Sequence, residues 1–171
     1  LLKLSGKNMS KNKILVAFLF SLTILNSAFA DYIDGQREYA SGNYEAAVLE
    51  WTQVAEDGHE RAQYNLAWMH ANGKGTPQDF VVAIEWYKKS AEQGNVNAQY
   101  NLANLYLRGQ GAAQDDKLAF SWFMKAAEQG DAPSQYNIGR MYLLDKGADI
   151  NFLESRFWIK QALENDDAYI G

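Results

Sequence analysis

The two histidines of the chain, His59 and His70, are the first residues to consider for catalysis or metal binding. A zinc site needs three or four ligands at suitable spacing, and the chain has no cysteine to complete one. A serine nucleophile needs a histidine base, and no serine lies beside either imidazole in the sequence. His59 follows Gly58 in a predicted loop, and His70 falls on an apolar helical stripe. We therefore predict structural roles for both rings, no enzymatic activity, and no metal or cofactor.

Two glycine-rich stretches suggest phosphate binding at first sight, "GKGT" at residues 73–76 and "GQG" at 109–111. A phosphate loop has a glycine, four residues and then Gly-Lys-Ser/Thr between a strand and a helix. Neither stretch has that order. The paired carboxylates Asp115 and Asp116, Asp166 and Asp167, together with Glu154, are an acid–base alternative, but nothing in the sequence places two of them across a cleft. We predict turns for the glycines, and helix caps or solvated helix ends for the acids.

These residues belong to a unit that the chain repeats every 36 residues. "AIEWYKKSAEQGN" at 83–95 returns as "AFSWFMKAAEQGD" at 119–131. Three columns are invariant at this offset, and they contain Tyr64, Tyr100 and Tyr136; Asn65, Asn101 and Asn137; and Trp86, Trp122 and Trp158. Such a period indicates stacked copies of one supersecondary unit.

Each unit is predicted to be two helices joined by a turn. The spacing of Ala62, Leu66 and Met69 predicts a first helix over residues 62–72. The second helix is predicted to begin near Asp79, whose carboxylate can cap it, and to stop at Gly94; Asp115 and Gly130 are the copies. Neither helix can bury its apolar stripe alone, so each copy packs against the next. The small residues Ala83, Ala119 and Ser155 suit close helix contact opposite the tryptophan column.

The motifs "AQYNLAWMHANGKG" and "AQYNLANLYLRGQG" resemble the Sel-1-like repeat, a relative of the tetratricopeptide repeat. The resemblance covers residues 62–94, 98–130 and 134–166, within a repeat region of 59–171. It implies an all-α fold, an α/α solenoid with a right-handed superhelix, whose first helices line the inner surface. It also implies that protein or peptide partners are bound there.

Both ends of the repeat region depart from this pattern. Residues 31–58 place their turn at Ser41 and Gly42 and look like a tetratricopeptide-like N-terminal cap. The third copy has Asp145 where the other units have glycine, Arg156 where they are apolar, and Asp166 where they end in glycine. No helix follows to cover its last apolar face, so we expect a truncated C-terminus or, less favoured, a partner, and a monomer or weak dimer through that face.

The N-terminal segment is predicted to direct export. Residues 1–8 precede the first methionine, Met9, and we expect them to be untranslated or non-structural. Residues 9–30 have lysines, an apolar run over 14–25 and small residues before a cleavage site after Ala30, which is the layout of a signal peptide. The run is too short for a membrane span, which needs about 20 residues. We expect a periplasmic or secreted protein without membrane insertion.

After cleavage, 12 basic and 21 acidic residues remain, a net charge near −9. A chain of that sign with no basic stripe repels nucleic acid, which excludes that class of partner.

Off the apolar stripe, the first helices carry a polar surface that is the candidate partner site. It contains Asn65, Trp68, Asn72, Asn101, Asn104, Arg108, Asn137 and Arg140. The invariant asparagine column has two interpretations: the amides fix the stacking of helices, or they hold the backbone of an extended peptide. Trp68 with the arginines is either an interaction hot spot or an ordinary surface with a partly covered tryptophan.

The main hypothesis is an exported bacterial repeat protein that acts as a protein- or peptide-binding adaptor in the cell envelope. One alternative is β-lactamase-like hydrolysis, known from a cysteine-rich branch of the family whose paired cysteines this chain lacks. The other is a permanent structural scaffold.

Overall fold

The computed structural model describes residues 32–167, and side chains up to residue 165. The predicted signal peptide, the segment before it and the side chains of Asp166 and Asp167 lie outside the described residues. Within them the chain is helical. The helices are α1 (residues 32–40), α2 (Tyr44–Glu56), α3 (Glu60–Asn72), α4 (Phe80–Glu92), α5 (Val96–Arg108), α6 (Asp116–Glu128), α7 (Ala132–Leu143) and α8 (Phe152–Asp167).

From α2 to α8 the helices pack in chain order, each against its neighbours in the sequence. The pairs α3–α4, α5–α6 and α7–α8 correspond to the three repeats of the sequence, and α1–α2 precede them. Small residues allow the close contact, since Ala83, Ala119 and Ser155 are all buried. The predicted all-α solenoid is therefore confirmed.

Side chains at equivalent positions cap the first helix of each repeat. His59 Nδ1 accepts a hydrogen bond from the backbone N–H of Ala62 at 3.2 Å, which satisfies one of the free donors of the first turn. Asn95 and Asp131 do the same for α5 and α7. His59 thus has a structural role as the cap of α3, which the loop assignment from sequence did not identify.

The second helices begin where the sequence predicts. The Asp79 carboxylate accepts from two backbone N–H groups of α4, and the Asp115 carboxylate accepts from one of α6. The first of the paired acids is therefore a helix cap.

The glycine-rich stretches form the turns between the helices of a repeat and also touch the preceding repeat. Gly111 has φ +78°, and a Cβ built there would lie 2.5 Å from the carbonyl carbon of Phe80, at the start of α4. Gly75 and Gly147 meet Tyr44 and Asp116 in the same way. The second glycine of each turn is thus required by close backbone approach, which gives these residues a packing role.

Two amide columns join successive repeats. Buried Gln99, near the start of α5, donates to the carbonyl of Ala91 in the last turn of α4, at 3.1 Å. Gln129, at the end of α6, donates to Gln99 Oε1 at 2.8 Å and to the carbonyl of Gly94 at 3.2 Å. The same bonds recur one repeat earlier and one repeat later, with Gln63 and Gln93, and with Gln135 and Asn165.

These bonds link the ends of three consecutive helices, so the amide ladder, defined by these six residues, fixes the rotation of each repeat on the next. A buried amide whose donor and acceptor are both satisfied tolerates no sliding of the helices.

The third repeat exposes apolar side chains at positions where the first two repeats have either a buried residue or a polar one. Leu163 is 62% exposed, whereas Ala91 and Ala127 at the same position are buried by the following repeat. Phe157, on the outward face of α8, is 52% exposed where the other repeats have Glu85 and Ser121.

Candidate partner-binding groove

The polar face of the first helices contains three neighbouring cavities, and all eight residues predicted for the partner site line them. The aromatic cavity lies between α1, α2 and α3 and has a volume of about 330 Å³. It is lined by Gln36, Tyr39, Trp51, Tyr64, Asn65 and Trp68.

The central cavity lies one repeat further along, with a volume of about 280 Å³. Its lining includes Trp68, Asn72, Asn101, Asn104 and Arg108. Trp68 therefore lines both this cavity and the aromatic cavity, and the two form a continuous surface. The orientation of α3 on α5 places the tryptophan there, and α4 links the two helices. Gln93, directly after α4, donates to Gln63 of α3, and the Ala91 carbonyl of α4 accepts from Gln99 of α5.

The terminal cavity is smaller, about 100 Å³, and lies on the third repeat. Its lining includes Asn137, Arg140 and Lys146. The structure thus distributes the predicted residues along one groove, defined here as the three cavities together.

The groove differs in charge from the rest of the molecule. Arg108, Arg140 and Lys146 line its central and terminal cavities, and no aspartate or glutamate is among the residues that line the three cavities in the described part of the chain. The chain as a whole has a formal net charge of −5. These three basic side chains on an acidic protein can orient an anionic group of a partner.

The asparagine column lies next to the preceding repeat. Burial raises the pKa of Tyr64, and the neighbouring Asn101 side chain of the following repeat offsets part of the rise. The bonds from one repeat to the backbone of another come from the glutamine columns instead. Both the scaffolding and the peptide-holding interpretations of the asparagines therefore stay predictions.

The amides of Asn72 and Asn104 bond within their own helices. Asn72 donates to the carbonyl of Trp68 at 2.8 Å, and Asn104 donates to the carbonyl of Tyr100 at 3.0 Å. Their side-chain oxygens still have acceptor capacity on the groove surface.

His70 lies in a half-buried packing position, at the place of Tyr106 and Tyr142 in the other repeats. Its Nδ1 is buried without a hydrogen-bond partner among the described residues. Burial lowers the pKa of His70, and the charge of Asp79 partly counteracts this shift. The surroundings of the ring thus disfavour its protonated form.

Residues 32–165 contain no group of three or more histidine, aspartate or glutamate side chains placed to hold a metal ion. No helix within residues 32–167 combines the length and the apolar character needed to cross a membrane.

Four lining residues of the aromatic cavity were not predicted for the site. Tyr64 belongs to the invariant tyrosine column of the repeats, and the other three are Gln36, Tyr39 and Trp51. They precede the clear repeats, so the offset of 36 residues that identified the other positions does not reach them in the same register. Only the packing of α1 and α2 on α3 brings them to the groove.

Comparison with known proteins agrees with this architecture. The model of the Sel1 repeat matches residues 60–95, 96–131 and 132–167, which is more than half of the chain. A search of curated proteins finds no match.

Two solved structures share the fold. A Sel1 repeat protein from Oxalobacter formigenes is 29% identical, with a TM-score of 0.74 over 78% of this chain and 55% of its own. A protective antigen present in uropathogenic Escherichia coli strains, which displays an SLR fold, is 31% identical, with a TM-score of 0.77 over 92% of this chain and 33% of its own.

The chain thus spans about half the length of the first protein and a third of the second. Sel1 repeats are generally protein–protein interaction modules and typically non-enzymatic. Three consecutive matches, in register with three observed helix pairs, confirm the resemblance seen in the sequence: the chain belongs to the Sel1 repeat family.

Proposed function

We propose that the chain is an adaptor that binds an extended peptide segment of a partner protein in the groove along its first helices. The observation that carries this proposal is that Trp68 lines both the aromatic and the central cavity, so these two form one surface. Asn137 and Arg140, the copies of Asn101 and Asn104, line the terminal cavity on the third repeat. Amides at regular spacing suit a peptide backbone, whose donors and acceptors also recur regularly.

The basic end of the groove favours a partner segment with acidic residues. Arg108 and Arg140 are exposed and lie on successive repeats. Because solvent screens exposed ion pairs, each pair contributes about 0.5–1 kcal/mol. Two such pairs correspond to roughly tenfold in affinity. Electrostatic complementarity here sets register and specificity more than total affinity.

The proposed place of action is the cell envelope or the exterior, and the support is the signal-like layout of residues 9–30. Expression in a Gram-negative host, followed by fractionation and mass determination, tests it. Recovery of the chain from the periplasm with its N-terminus at Asp31 is the expected result. Recovery from the cytoplasm, with the segment still attached, contradicts it.

The binding proposal is tested with peptides selected from a random library on the immobilised protein and then measured by calorimetry. The variant Arg108→Ala/Arg140→Ala is expected to weaken selected acidic peptides about tenfold and to reduce the salt dependence of binding. Lys117→Ala, which removes an exposed charge from the second helix of a repeat, is the matched control and should leave affinity unchanged. An equal loss of affinity in both variants would contradict the proposal, and so would a selection that enriches no peptide.

A further inference from the structure

We infer that the aromatic cavity is a pocket for a cationic side chain, lysine or arginine, which anchors the partner peptide at the N-terminal end of the groove. This inference rests on the proposed function and names the chemistry of one position in the partner.

Two aromatic rings of the cavity meet at a steep angle. Tyr39 and Trp68 stand nearly perpendicular, at 76° with their centroids 6.1 Å apart. Both are half-buried, so each offers an open side to the cavity. Trp51 lies behind Tyr39 with centroids 5.7 Å apart and is only 3% exposed, which holds the wall rigid. Aromatic faces carry a negative quadrupole that attracts cations within about 6 Å.

The polar residues of the cavity offer hydrogen-bond acceptors to a cationic group. The Gln36 amide donates through Nε2 to the Tyr32 hydroxyl at 3.2 Å, which leaves Oε1 as an acceptor. Asn65 also lines the cavity. An ammonium or guanidinium group offers only donors, so it matches such acceptors. An apolar side chain in the same place would desolvate these amides without compensation.

The protein itself uses this chemistry elsewhere. Lys89 lies over the Trp86 ring and Lys125 over the Trp122 ring, each with Nζ 3.8 Å from the centroid. Two longer contacts join Lys74 Nζ to the Tyr44 ring at 4.7 Å and Arg140 Cζ to the Tyr136 ring at 5.9 Å. Among the described residues, no cation occupies that position at Tyr39 or Trp68. The aromatic cavity therefore offers to a partner the contact that four other rings make within the chain.

Charge and size are also compatible. None of the six lining residues is charged, and a neighbouring cavity that shares Tyr64 and Asn65 carries one acid and one base, Glu60 and Arg61, whose charges offset. The net negative charge of the chain favours approach of a cation. The volume of about 330 Å³ accommodates the long stem of lysine or arginine along the rings with its charged head among the amides.

The test compares charged peptides with neutral isosteres. Acetylated and amidated Gly-Arg-Gly and Gly-Lys-Gly are titrated into ¹⁵N-labelled protein, with citrulline and norleucine replacing the cationic residues as controls. Shifts of the Trp68 indole N–H report occupancy of the cavity. We expect at least one cationic peptide to bind about fivefold more tightly than its isostere. Comparing the arginine and lysine arms shows which head group is preferred.

Two variants of one residue test the role of the ring. Tyr39→Phe keeps the aromatic face and is expected to bind as the unaltered protein does, whereas Tyr39→Leu should lose about fivefold in affinity. Circular dichroism of both variants checks that the fold is retained. Equal affinity for cationic and neutral peptides, full binding by Tyr39→Leu, or no shift of the Trp68 indole overturns the inference.

Failure here is distinguishable from failure of the proposed function. Binding of acidic peptides through Arg108 and Arg140 does not involve the aromatic cavity. If acidic peptides bind and the cationic peptides do not, only the inference about the aromatic cavity is refuted.

Discussion

Removal of a glutamine from the amide ladder should destabilise the solenoid more than removal of an asparagine from the groove. Gln99 and Asn101 lie two residues apart in α5, and both recur in every repeat. Gln99 is 3% exposed, donates to the carbonyl of Ala91 at 3.1 Å and accepts from Gln129 at 2.8 Å. Asn101 is half-buried and lies near the Tyr64 hydroxyl of the preceding repeat. The variants Gln99→Ala and Asn101→Ala can therefore be compared directly.

The magnitude follows from these contacts. Gln99→Ala removes two hydrogen bonds between helices, each contributing about 1 kcal/mol net. It also removes a buried methylene, at about 0.8 kcal/mol. The expected loss is about 3 kcal/mol in the free energy of unfolding. Asn101→Ala removes an amide from a partly solvated position, so about 1 kcal/mol or less is expected.

Urea unfolding followed by circular dichroism measures both values, and an unchanged m-value would show that cooperativity is retained. A double-mutant cycle of Gln99→Ala with Gln129→Ala should give a coupling of about 1 kcal/mol, because the two amides bond each other. If Asn101→Ala costs as much as Gln99→Ala, or the coupling vanishes, the ladder does not fix the stacking.

Three further outcomes are expected from other parts of the fold. Asp145→Gly should raise the free energy of unfolding by about 0.5–1 kcal/mol in urea titrations, because Asp145 has φ +53° where the other repeats have glycine, and a loss of stability would contradict this. Gly111→Ala should lower the melting temperature, since its Cβ would meet Phe80 at 2.5 Å on a backbone with positive φ; an unchanged melting temperature would refute the close approach. Burial lowers the pKa of His70, so its contribution to stability is present above its unfolded pKa of about 6.5 and is lost as pH falls through the lower folded value. His70→Tyr should flatten the dependence of stability on pH below 6.5, and identical pH profiles for the two proteins would show that the ring titrates freely.

Much of the fold could be predicted because its signals are local or periodic. Asp79 and Asp115 identified the starts of two helices, since a capping carboxylate acts on N–H groups two or three residues away. The offset of 36 residues identified the repeats and the polar positions of the first helices. The groove residues follow from this register, because helical spacing decides which positions leave the apolar stripe.

The bridging role of Gln99 could not be predicted in the same way. Glutamine and asparagine columns are equally regular in the sequence, and both contain amides. Which of them reaches a neighbouring helix depends on the angle between repeats, which side-chain packing sets. Tyr39 was missed for a related reason, since its partner Trp68 lies 29 residues away and outside the repeat offset.

The sequence by itself determined that this protein is a stack of helix pairs, where each repeat begins and which faces of the first helices stay polar. Those features depend on the order of apolar residues, capping side chains and glycines along the chain. Only the tertiary structure decided that α1 and α2 close one end of the groove with aromatic rings, and that glutamines rather than asparagines tie repeat to repeat through their backbones. The physical reason is that these contacts join residues far apart in sequence, and their geometry is set by how helices pack rather than by the residues alone.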